Sequence, residues 1–135
     1  NDFLRVCGDA CDGAWVPVGP VMVADLLPAD NPVKATAQAF AKKYEAANGA
    51  GTVSLFAAYT WDIGLLLQQA IPVALKTAKP GTPEFRAALR DALENVKNLP
   101  TATGVVNMSP TDHNGLDERA LVMATVASGK WRLQK

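Results

Sequence analysis

The segment NMSPTDHNGLD, residues 107–117, holds the chain's only histidine, His113, between Asp112 and Asn114, with Asn107 and Asp117 at its ends. Imidazole and carboxylates side by side can ligate a metal or move a proton. A calcium loop, however, needs alternating acidic positions, a glycine at a fixed offset and a distal bidentate glutamate, and Glu118 comes too early for that role. Zinc would need further His, Cys or carboxylate ligands, and there is no second histidine. Asn, Gly, Asp and Pro gathered between two β-rich runs are standard loop chemistry. The segment is therefore expected to be a connection, with Gly115 at positive φ, Asp112 and Asn114 bonding their own backbone, and no metal.

Cys7 and Cys11, in CGDAC, lack the CxxC spacing of redox and zinc sites. A bridge would require Cα atoms about 5.5 Å apart and an oxidising compartment. The expectation is free, structurally incidental thiols. Nucleophilic catalysis has little to work with: Ser54, Ser109 and Ser128 share one histidine, and no glycine-rich phosphate loop exists. No enzyme activity and no cofactor are expected.

The elements that position these residues carry start signals of their own. Asn31 and Pro32 open a predicted helix to about Ala47, with Val33, Ala37, Phe40, Ala41 and Tyr44 at helical spacing. Thr82 and Pro83 open another to about Val96, whose stripe is Phe85, Ala88, Leu89, Ala92, Leu93 and Val96. Between them, residues 57–78 are apolar nearly all round, which predicts a central helix buried on several sides. Pro72 should kink or break it. AWVPVGPVMVA at 14–24 contains Pro17 and Pro20 and so predicts an edge strand or a crossing. GVVNM at 104–108, RALVMATVA at 119–127 and KWRLQ at 130–134 read as strands, the last two joined through a Ser128-Gly129 hairpin turn.

The 135 residues fit one ordinary domain, and 49% apolar composition suffices for a core. Thirteen basic and thirteen acidic residues cancel, so nothing calls for nucleic acid or an anionic membrane. Acids crowd the start (Asp2, Asp9, Asp12, Asp25 and Asp30) and bases the end (Lys130, Arg132 and Lys135), which reads as solvated surface. No stretch approaches the roughly 18 apolar residues of a membrane span. Starting at Asn1, the chain is expected to be a processed, tagged-and-cut or truncated product.

GPVMVADLLPADNPVK, FAAYTWDIGLLLQQAIPVAL, KPGTPEFRAALRDALE and NMSPTDHNGLD with the RALVM strand follow one another along the chain. Together they resemble the C-terminal part of type I periplasmic binding proteins, most closely the branched-chain amino acid (Leu/Ile/Val-type) receptors of ABC importers. The resemblance implies an α/β fold, partial here: three helices, hinge-crossing strands and a C-terminal hairpin, with the N-terminal part of the protein missing. It implies that residues 1–12 end a segment of lobe 2, residues 13–118 form the C-terminal part of lobe 1 with hinge crossings, and residues 119–135 return as a hairpin to lobe 2. The function implied is extracytoplasmic or periplasmic capture of a small amino acid, aromatic or other organic acid, or amide, for delivery to ABC transporter membrane subunits. A sensory or regulatory ligand-binding module of the same fold is the alternative.

The family's cleft-facing aromatic before the central helix corresponds to Phe56, with Tyr59 and Trp61 as further ligand-binding candidates and Trp15 beside a hinge crossing. Against this, a Phe at a strand-to-helix junction is core more often than not. The cysteines have no family counterpart. Helices without the sheet they normally cover should expose an apolar patch, so a dimer or strand-swapped assembly is expected.

Overall fold

The computed structural model describes residues 2–134; Asn1 and Lys135, which the sequence places at the ends of its first and last segments, lie outside the described residues. The elements in chain order are α1 (Asp2–Cys7), β1 (Trp15–Val18), α2 (Lys34–Asn48), α3 (Leu55–Ala74), α4 (Pro83–Glu94), β2 (Leu99–Pro100), β3 (Val105–Val106), β4 (Val122–Ala127) and β5 (Lys130–Leu133). Short 3-10 helices follow α1 at Gly8–Cys11, follow β1 at Pro20–Leu26, and precede β4 at Glu118–Ala120.

β1, β4 and β5 form an antiparallel sheet in the order β1-β4-β5. β1 is an edge, as Pro17 predicts, since a residue without an N–H is tolerated where one side of the strand is unpaired. The β4–β5 turn is Ser128-Gly129, both at positive φ, the hairpin geometry that matches strand twist. β2 and β3 make a separate two-stranded ladder.

α4 is built as its sequence predicts: Thr82 Oγ1 accepts from Phe85 N at 3.1 Å and Pro83 follows at the first position. α2 begins two residues later than Pro32. Asn31 Oδ1 accepts from Val33 N at 2.9 Å, so Asn31 caps the turn leading into the helix. Pro72 does not break α3, which runs as one helix to Ala74 with the proline in its last turn. The proline leaves Gln68 O without its helical donor, while Leu75 N still reaches Ile71 O at 3.0 Å.

Among the described residues the core has two clusters. Val21, Ala24, Val33, Ala37, Phe40, Ala58, Ala102 and Val105 join α2, α3 and the β2–β3 loop, while Val18, Val23, Leu27 and Ala124 join the sheet to the 3-10 segment after β1. α3 does not fulfil the expectation of burial on several sides. Only Ala58, Asp62, Ala70 and Ala74 are buried along it, and Phe56, Tyr59, Ile63 and Val73 stay exposed. An all-round apolar helix needs neighbours on every side, and the described residues supply them on one.

Cys7 and Cys11 are bridged, with Cα atoms 5.7 Å apart. This corrects the expectation of free thiols. The chain turns at Gly8, φ +54°, so the second cysteine comes back toward the first, a reversal that the four-residue spacing does not reveal.

Asp117 caps the turn before β4, accepting from Arg119 N at 3.0 Å and from the Arg119 guanidinium. Hydrogen bonding to Arg119, side chain first, holds its carboxyl down to about 2. A folded pKa below the ordinary 3.8 gives a contribution present above that value and lost as pH falls through about 2. The pair is solvent-exposed, so the effect should be small and screened by salt. Urea unfolding of wild type and Asp117→Asn should therefore differ at neutral pH and converge near pH 2; a gap that persists in acid would show that the charge is not what the cap uses.

Candidate functional site

The opening segment is a loop. Asp112 Oδ1 accepts from Asn114 N and Gly115 N, each at 3.0 Å, and Gly115 sits at φ +63°. Asn107 N bonds Gly115 O at 2.7 Å, closing the segment on itself. Its histidine is turned outward to α4, with Nε2 3.1 Å from Glu94 Oε1, and is paired with no serine. Among the described residues no group of three or more His, Cys, Asp or Glu side chains could hold a metal ion.

The three aromatic candidates do not converge. At roughly 100° per helical residue, side chains five apart such as Phe56 and Trp61 point about 140° away from each other. Trp61 belongs to the core side of α3: its ring meets Phe40 edge-on at 5.8 Å, Lys43 Nζ lies 5.2 Å from its centroid, and its indole N–H is buried without a partner. Tyr59 borders a shallow depression of about 300 Å³ over Asp62, Thr103 and the 107–117 loop. Phe56 is different. It is 82% exposed, so the alternative of a core phenylalanine at the helix start does not apply.

Phe56 stands at the edge of a cleft of about 500 Å³ between the start of α3 and the sheet. Its lining takes in Thr52, Ser54 and Leu55 at the approach to α3, β1 from Val16 to Val18, and Phe3, Leu121 and Trp131. Phe3 and Trp131 stack with centroids 5.6 Å apart and planes at 11°. Gly19 lets the chain after β1 approach Leu55, since a Cβ there would lie 2.6 Å from Leu55 Cδ1. Among the described residues no charged side chain lines the cleft. It can enclose an apolar group, with Ser54 and Thr52 as polar contacts. A larger hollow of about 710 Å³ lies between the ends of α3 and α4 and has no aromatic in its lining.

No family model and no curated protein matches the sequence. Solved structures do, over nearly all of it. An extracellular ligand-binding receptor from Rhodopseudomonas palustris HaA2 is 38% identical with a TM-score of 0.91, covering 99% of this chain and 38% of that one. A second extracellular ligand-binding receptor from the same strain is 41% identical at a TM-score of 0.86, covering 98% of this chain and 37% of its own. Over nearly its whole length the chain shares the fold of part of these receptors. A Rhodospirillum rubrum protein provisionally assigned as a branched-chain amino acid ABC transporter is 25% identical at 0.59, covering 98% of this chain and 34% of its own. The partial type I periplasmic-binding-protein fold expected from the motifs is thus the fold found, and the chain spans 34% to 38% of these relatives' lengths.

In this receptor fold the cleft's stacked aromatic pair was not legible beforehand. Trp131 read only as part of a strand, although its placement two residues from Leu133 puts both on one face, and both pack toward the sheet's core cluster. Phe3 carried no signal, because its place depends on the turn at Gly8. Trp15, expected beside a crossing, is on edge strand β1 and 65% exposed.

Proposed function

We propose that this chain is the C-terminal part of an extracytoplasmic solute receptor that captures a small amino acid or a related organic acid or amide for the membrane subunits of an ABC transporter. One observation carries the reading: a cleft of about 500 Å³, lined among the described residues by no charged side chain, that gathers an exposed aromatic, Phe56, at the start of α3 and a stacked pair, Phe3 and Trp131. A rigid apolar ring exposed at a cleft covers a ligand's apolar part at low entropic cost. On this reading residues 1–12 close a lobe 2 segment, residues 13–118 make up lobe 1 with its hinge crossings, and residues 119–135 return to lobe 2. The antiparallel pairing of β1 with β4 supports it, since it sets the two proposed crossings side by side. The work done is binding, with no catalysis. Among the described residues no helix is long and apolar enough to cross a membrane, which accords with a periplasmic receptor.

The test is a thermal-shift screen of the chain, and of a form extended to the length of its structural relatives, against aliphatic amino acids, aromatic acids and small amides. A ligand at a hundred times its dissociation constant should add about 2.7 kcal/mol of stability. One class shifting the extended form is the expected result; no shift from any class would favour the alternative, a sensory or regulatory module with a different ligand.

The same reading predicts self-association of the isolated chain. Tyr59, Ile63 and Val73, with Leu75 just past its end, leave α3 with exposed apolar surface that water penalises. Light scattering should give twice the 14.2 kDa chain mass, by pairing or strand exchange; a monomer across the accessible concentration range would refute it.

A further inference from the structure

The Cys7–Cys11 bridge spans Gly8, the first of two left-handed glycines, Gly8 and Gly13, between α1 and β1. α1 ends at Cys7, Gly8 takes φ +54°, and a 3-10 turn runs to Cys11. A glycine in the left-handed region is a swivel, free to take many backbone conformations once nothing else fixes it. Here the disulfide closes the loop around it. On the far side of Gly8, α1 presents Phe3, which stacks on Trp131 at the cleft. Both cysteines are partly exposed, and Gly8, Asp9 and Ala10 between them are exposed, so a reductant can approach the bridge. Trp131, on β5, is held from another part of the chain altogether.

We propose that the Cys7–Cys11 disulfide is a redox-sensitive clip on the wall of this cleft. Oxidised, it fixes the Gly8 joint and holds Phe3 against Trp131; reduced, α1 turns about Gly8 and the stack loosens. The chemistry is thiol–disulfide exchange with a dithiol. One thiolate of the dithiol attacks Sγ of either cysteine, forming a mixed disulfide and releasing the other cysteine, which takes a proton. The dithiol's second sulfur then attacks its own partner in the mixed disulfide and releases the second cysteine. Two electrons and two protons pass to the protein, and the dithiol leaves as a disulfide. That this alters ligand capture rests on the solute-receptor reading; the movement of Phe3 does not.

The test needs no ligand, so its outcome is separate from that of the binding screen. In the ¹⁵N NMR spectrum of the full chain, the indole N–H signals of Trp15, Trp61 and Trp131 are assigned by single Trp→Phe substitutions. Dithiothreitol should shift the Trp131 signal, which sits beside the Phe3 ring current, and leave that of Trp61 in place. Cys7→Ser/Cys11→Ser should show the shifted position without reductant. Phe3→Ala should be displaced from the start and insensitive to dithiothreitol. Alkylation before reduction establishes the bridge, and cysteines that label in untreated protein would overturn the proposal. So would a Trp131 signal that is the same oxidised and reduced. That comparison is made within one wild-type protein and stands even if a variant fails to fold.

Discussion

Asp62→Ala should lower the unfolding free energy by about 4 kcal/mol, the largest stability loss expected from any single polar residue in this chain. Asp62 lies on α3 at 6% exposure in a helix otherwise read for its grease. Its carboxylate accepts from Ala102 N at 2.8 Å, Thr103 N at 3.1 Å and Thr103 Oγ1 at 2.6 Å. These bonds fasten the loop between β2 and β3 to the helix across some forty positions of sequence. Thr101 Oγ1, donating to Gly104 O at 2.9 Å, completes the buried turn. Truncation would strand Ala102 N away from water and leave Thr103 N with only its long bond to Thr101 Oγ1 at 3.4 Å, each loss costing about 1–3 kcal/mol. Asp62→Asn should cost roughly half as much, because one oxygen still accepts while the amide meets the other donor head-on. Urea unfolding of the three proteins decides it. A loss under about 1 kcal/mol for Asp62→Ala would mean that water reaches the loop and the carboxylate is not its anchor.

The importance of Asp62 illustrates what could and could not be read from the sequence. Local signals survived intact: Thr82-Pro83 started α4, Pro17 kept β1 at an edge, Ser128-Gly129 made the hairpin, and Asp112, Asn114 and Gly115 made a loop. Each acts within a few residues. What failed depended on distant partners. Asp62 looked like an interruption of an apolar run, since nothing near it announces the Thr103 it binds. The bridge at Cys7 and Cys11 depends on a glycine turn. α3 was expected to be buried because its composition demands it, yet burial requires surfaces that the described residues do not provide. For the site, the motif resemblance named Phe56, Tyr59 and Trp61 together. Helical geometry parts Trp61 from Phe56, and Tyr59 borders a different depression, which leaves Phe56 at the cleft, while the aromatic pair that also lines it comes from both ends of the chain.

Phe56→Ala should weaken binding of the ligand class returned by the screen by about 30-fold, or about 2 kcal/mol, the usual scale for truncating an aromatic anchor. The same substitution should leave folding stability within about 0.5 kcal/mol, because a side chain 82% exposed removes little packing when cut back. This split between affinity and stability is the signature of a ring kept outside the core for a ligand. Phe40→Ala supplies the opposite pattern. Its ring is 3% exposed and packs against Tyr44 and Trp61, so it should lose about 3–5 kcal/mol of stability. Trp61→Ala should follow Phe40, since its ring is partly buried in the same cluster, and Tyr59→Ala should disturb neither property strongly. Calorimetric titration and urea unfolding on the four variants separate the roles. If Phe56→Ala binds as wild type does, the cleft beside α3 is not where the ligand sits. If it loses stability in step with affinity, the ring is holding the fold together and its exposure is filled by self-association.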